Sequence, residues 1–80
     1  MVESVIDRVE RILKGVFDLT TENVDINSGP EQIEGWDSMA HLDLVMALGE
    51  EFGIDLEFDE VMSIGVIRDI YSVLDRRGIK

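Results

Sequence analysis

Apolar residues recur near the start of the chain at the three-and-four spacing of one helical face: Val2, Val5, Ile6, Val9, Ile12, Leu13 and Val16. The spacing predicts a first helix over roughly 2–16, ending near Gly15. From Phe17 to Trp36 no period is sustained, and Thr20, Thr21, Asn23, Asp25, Asn27, Ser28, Gly29 and Pro30 break the pattern. A connection this long in a small domain needs its own packing, for which Phe17, Leu19, Val24, Ile26, Ile33 and Trp36 are the expected anchors. Helical periodicity returns at Ser38 and continues to Phe52, before Gly53, which suits a left-handed helix end. At 100° per residue Leu44, Val45, Leu48 and Phe52 share the core arc. Met39 and Met46 fall on a neighbouring arc flanked by Asp43 and Glu50, which gives this helix a second, acid-rimmed apolar edge. A short helix is expected over Phe58–Ile64, and a last one over Val66–Arg77 turns Val66, Ile67, Ile70, Val73 and Leu74 inward and ends at Gly78. With no strand pattern and no repeat, the expected fold is all-α: a small four-helix bundle with a long first loop and a short third helix.

Eighty residues make one domain, expected to span 1–80. Folding at this size buries roughly 60% of the unfolded chain's surface, so there is little stability to spare. The chain has no cysteine, which excludes disulfides and thiolate zinc sites and fits a reducing compartment. Glu3, Asp7 and Glu10 within the first helical pattern are unlike a signal peptide, and no apolar run reaches membrane-spanning length. A cytoplasmic protein with no stable membrane insertion is the expectation.

Charge changes the picture more. Eighteen acidic residues against seven basic give a net charge of −11, which disfavours nucleic acid as a partner. The basic residues all lie in 8–14 or 68–80, and between Gly15 and Ile67 there are thirteen acidic residues and no Lys or Arg. Such a one-signed stretch is either a solvated surface or a docking face for basic partners.

The stretch GWDSMAHL, residues 35–42, carries the candidate chemistry. Asp37 suits an N-cap, which places Ser38 at the first helical position. Ser38 is then either a second capping group or a point where an anionic group is attached, since helix N-termini favour phosphate. A hydrolase is disfavoured, because Trp36 and Ala40 stand where a G-x-S-x-G nucleophile elbow needs glycine. His41 falls at the rim of the core arc and is expected to be structural. A calcium loop built on Asn23, Asp25, Asn27 and Glu34 is also disfavoured, because its first ligand is Asn, Ser28 replaces the required Gly and Pro30 interrupts. Neither a metal site nor a catalytic residue is expected.

The segment DSMAHLDLVMALGEEFGIDL, residues 37–56, resembles the Asp-Ser-Leu signature and following helix of the acyl carrier protein family, the phosphopantetheine-binding carrier proteins. The resemblance covers nearly the whole chain and implies a non-enzymatic carrier with a covalent 4′-phosphopantetheine arm. Carried over by position, Ser38 is the attachment point, Asp37 helps present it, and Met39, Asp43, Met46 and Glu50 form the partner edge. The implied partners are a phosphopantetheinyl transferase, an acyl-loading ligase or synthase, and acyltransferases with basic docking surfaces, each meeting a monomer. Met39 replaces the usual Leu, and Ala40 and His41 replace an acidic and a small polar residue. The GWDSM entry looks more like stand-alone carriers of specialised pathways, such as polyketide, lipid-modification and aminoacyl carriers, than like the main fatty-acid carriers. The resemblance implies that the arm holds acyl groups as thioesters and presents them to enzymes of a fatty acid, polyketide or lipid-modification pathway. The alternatives are an aminoacyl or peptidyl carrier and an unmodified acidic helical interaction module.

Overall fold

A computed structural model describes residues 4–17 and 25–79. Four helices form among them: α1 (Val5–Phe17), α2 (Ser38–Phe52), α3 (Phe58–Ser63) and α4 (Ile67–Arg76), with no strand. The all-α fold expected from the sequence is the one observed.

The α1 helix does not stop at Gly15 but runs through it to Phe17. Glycine inside a helix costs about 1 kcal/mol against alanine. Here the stripe Val9, Leu13 and Phe17 is buried at a four-residue spacing, and that burial carries the helix past Gly15. Ile6, expected on the same face, is exposed. The α1–α2 contact is closed at its edge by Arg8, whose Nε donates to Glu51 Oε2 over 2.8 Å and whose Nη2 donates to the Glu51 carbonyl over 2.7 Å. Phe52, expected on the core arc, is half-buried and packs against the core's edge, with the guanidinium 4.3 Å from its ring centroid.

One core unites the described residues. α1 supplies Val9, Leu13 and Phe17, the first loop Ile33 and Trp36, α2 Leu44 and Leu48, and α4 Ile67, Ile70, Val73 and Leu74. Val45 is half-buried, at the edge of the arc assigned to it. Of the expected loop anchors, Phe17, Ile33 and Trp36 are buried and Ile26 is exposed, while Leu19 and Val24 lie outside the described residues. The third helix ends one residue early, at Ser63, because Ile64 adopts an extended backbone that drives its side chain into the core. Val66 and Arg77 cap α4 rather than belonging to it.

The first loop is tied to the start of α4 by backbone bonds. The first N–H groups of a helix have no partner within it. Here Ile67 N–H donates to the Ser28 carbonyl over 3.0 Å and Arg68 N–H to the Ile26 carbonyl over 2.7 Å. The Asp69 carboxylate reaches back to the N–H groups of Gly65 and Val66, over 2.8 and 3.0 Å. This seam requires Gly29: a Cβ there would sit 2.5 Å from the Gly65 carbonyl oxygen, a backbone atom that cannot turn aside. Gly29→Ala should therefore lower unfolding stability by roughly 1–3 kcal/mol, measured by urea denaturation, and an unchanged midpoint would mean that the seam yields easily.

α3 is held from the α4 side by charge. Arg77 forms a two-pronged ion pair with Glu60, its Nε 2.9 Å from Oε2, and its Nη2 also donates to the Asp55 carbonyl over 2.7 Å. The Arg77 hydrogen bonds, helped by a backbone bond from Glu57, hold the Glu60 carboxyl down at about 2 against an ordinary 4.5. The folded protein thus binds this proton less readily than the unfolded chain. The contribution is complete above pH 4.5 and drains away as the pH falls toward 2. Arg77→Gln should flatten the acid limb of the stability curve across that window, measured by urea unfolding at successive pH values. Parallel curves for variant and wild type would show that the pair does not contribute.

Candidate functional site

The junction between the first loop and α2 is built around Trp36. Its ring is buried with its centroid 5.1 Å from that of Phe17, which fixes where the loop delivers the chain to α2. The next residue, Asp37, is extended (φ −101°, ψ −171°), and its Oδ1 accepts the Ala40 N–H over 2.8 Å. The His41 N–H donates to the Asp37 carbonyl over 2.9 Å as the first intrahelical bond. Asp37 is therefore the N-cap expected from the sequence. Ser38 occupies the first helical position with an exposed side chain at the positive end of a fifteen-residue helix.

His41 lies one turn further on and is fully committed. Trp36 Nε1–H donates to His41 Nδ1 over 3.1 Å, and His41 Nε2 lies 2.9 Å from the Val61 carbonyl oxygen. An indole N–H can only donate and a carbonyl can only accept, so Nδ1 carries the lone pair and Nε2 the proton. The ring is neutral, half-buried and nearly parallel to Trp36, with 17° between the planes. Both nitrogens are occupied elsewhere, so His41 is no base for Ser38, in keeping with the structural role expected of it.

Beside Ser38 opens an apolar cleft of about 740 Å³ between α2 and α3. Its rim is formed by exposed residues, Asp37, Ser38, Leu42, Phe58 and Met62, and its floor by buried Trp36 and Ile64. Leu42, Phe58 and Met62 did not stand out in the sequence. The available signal was that a helix of six residues carrying Phe58, Val61 and Met62 is too short to bury them all.

A second feature runs along α2. Met39, Asp43, Met46 and Glu50 follow the 4-3-4 spacing of one helical stripe, and all four side chains are exposed, Met39 by 76% and Met46 by 64%. The methionines therefore do not pack in the core. A smaller groove of about 380 Å³ borders this stripe, between Met46 and Glu50 on one side and Ile54 and Asp55 on the other.

Of the residues in the disfavoured calcium-loop pattern, Asn23 lies outside the described residues and two others are engaged in hydrogen bonds. Asp25 Oδ1 accepts the Asn27 N–H over 2.8 Å, and Asn27 Oδ1 accepts from Arg68. Among the described residues no three acidic or imidazole side chains come together as a metal site, and no helix is long and apolar enough to cross a membrane.

These features suit a phosphopantetheine group. A hydroxyl stands free at a helix N-terminus that favours a phosphodiester. An apolar cleft begins beside it, and the chain has no thiol of its own. The sequence matches the protein family described as "Phosphopantetheine attachment site" over residues 7–74. It is also 32% identical, over 69 residues, to an acyl carrier protein of Zymomonas mobilis subsp. mobilis, an alignment that spans 86% of this chain and 88% of the relative. The fold, the serine at the entrance to α2 and both similarities agree that this chain belongs to the acyl carrier protein family, carriers rather than enzymes, whose prosthetic group is covalently attached 4′-phosphopantetheine.

Proposed function

We propose that Ser38 is the attachment point and that the chain is a single cytoplasmic carrier domain presenting acyl groups to the enzymes of fatty acid, polyketide or lipid-modification synthesis. The observation that supports this reading most directly is the placement of an exposed Ser38 hydroxyl after the Asp37 cap, at the rim of an apolar cleft. The attached group supplies a thiol on a long flexible arm, to which cargo is joined as a thioester. The chain itself does three things. Asp37 ends the loop and holds the first turn of α2 in shape, so that Ser38 is presented to a phosphopantetheinyl transferase on a rigid element. The N–H groups at the start of that turn which Asp37 does not take would favour a phosphate attached there. The cleft between Leu42, Phe58 and Met62 takes the apolar part of an acyl cargo out of water.

The stripe Met39, Asp43, Met46 and Glu50 is proposed as the docking edge for loading ligases, synthases and acyltransferases. Exposed methionines adapt to differently shaped apolar partners. The carboxylates steer basic surfaces toward the stripe and fix their register.

Two outcomes test these assignments. After incubation with coenzyme A, Mg²⁺ and a broad-specificity transferase, the intact mass of the wild type should rise by one phosphopantetheinyl group, while Ser38→Ala stays unmodified and keeps its fold. Modification of the alanine variant would transfer the site to another serine. For the edge, Glu50→Lys should slow loading by a cognate enzyme by on the order of tenfold, with melting temperature almost unchanged because the side chain is exposed. The wild-type rate should also fall with added salt. Equal rates for variant and wild type, insensitive to salt, would place docking elsewhere.

A further inference from the structure

The two walls of the cleft beside Ser38 are held by different forces. α2 is anchored in the core by Leu44 and Leu48. α3 has no buried side chain, and its two largest apolar residues, Phe58 and Met62, are 76% and 67% exposed. A helix of six residues has negligible stability of its own, far below the ~12–15 residues at which isolated helices become even marginal. Buried Ile64 and half-buried Leu56 fix the ends of the segment. Between them α3 is held by polar ties, Arg77 to Glu60 from the α4 side and His41 to the Val61 carbonyl from inside the cleft.

The His41 tie has a specific construction. Trp36 is immobilised in the core, and its indole N–H has no other hydrogen-bond partner among the described residues. His41 relays that fixed position through its ring to the last turn of α3. Phenylalanine would fill the space but make neither bond. A side chain with one acceptor and one donor at the right separation is what the gap requires, and the neutral imidazole provides it.

We propose that His41 is a positioning residue. By bridging Trp36 and Val61 it sets the distance of α3 from α2, and so how closely the cleft closes over the arm and cargo carried at Ser38. The cargo half of this statement rests on the reading of Ser38 as the attachment point, whereas the hold on α3 belongs to the unmodified chain.

Amide hydrogen exchange on the unmodified protein tests the hold directly. In His41→Phe the amides of α3 should exchange about fivefold faster, the factor equivalent to the ~1 kcal/mol of one lost hydrogen bond. Those of α1 and α4 should keep their protection. His41→Gln, which again offers an acceptor and a donor, should recover part of the loss, and the single indole N–H resonance of Trp36 should shift in the Phe variant and return toward its original position in the Gln variant. Unchanged exchange in α3 would overturn the proposal. So would a loss of protection spread equally over all the helices, which would mark His41 as a general structural residue. On the modified protein, an octanoyl thioester should hydrolyse faster in His41→Phe than in the wild type, while an acetyl thioester, too short to enter the cleft, should not. Equal octanoyl rates would overturn the cargo half, and failure of wild-type Ser38 to take the arm would overturn the attachment reading, leaving the exchange result to judge the hold on α3.

Discussion

Trp36 is the point at which the core and the candidate site meet. One face of its indole lies against Phe17 and the other polar edge reaches His41, so a single side chain joins the end of α1, the end of the first loop, the start of α2 and, through His41, α3. The position of Ser38 two residues later follows from that anchorage, because Asp37 has only to turn the chain into the helix. A loop of roughly twenty residues is thereby given a fixed exit. The loop's other attachment, the Gly29 seam with the start of α4, uses backbone contact where no side chain would fit. Both attachments place an irregular segment accurately without a large core of its own.

The segregation of charge along the sequence becomes a division of labour in the folded chain. Basic residues from the two ends reach across to the acidic middle: Arg8 and Arg11 meet Glu51, and Arg77 meets Glu60. These pairs sit at helix–helix edges and spend little on burial, where exposed ion pairs contribute modestly. They neutralise carboxylates that face other helices, and among the described residues no ion pair is formed by Asp43 or Glu50 on the outer stripe of α2. Asp43 and Glu50 thus keep their negative charge on the surface proposed to meet partners, where it acts over a Debye length of about 8 Å at physiological salt.

Much of this was legible in the sequence. The helices announce themselves through the spacing of Val9 and Leu13, of Leu44 and Leu48, and of Ile70, Val73 and Leu74, because burial of one face is what makes each helix stable. The Asp37 cap and the Gly53 stop mark α2 to the residue, since both depend on local backbone geometry. Ends set by packing were less legible. Gly15 reads as a terminator and is overridden by Phe17, whereas Ile64 reads as helix and is pulled out of it by the core. At Gly49, inside α2, a Cβ would lie 2.9 Å from the Ile54 carbonyl oxygen, so glycine is what lets the chain fold back under the helix.

The sequence by itself determined the helical class, the capped serine at the start of α2 and the acid-rimmed methionine stripe, because each is a relation between residues a few positions apart on one element. The cleft beside Ser38, and the pairing of His41 with Trp36 and Val61, were decided only by tertiary structure. Those features join α2 to a loop and to a short helix that buries nothing of its own. Periodicity predicts which face of a helix turns inward, but not how far a neighbour held by hydrogen bonds will stand from it.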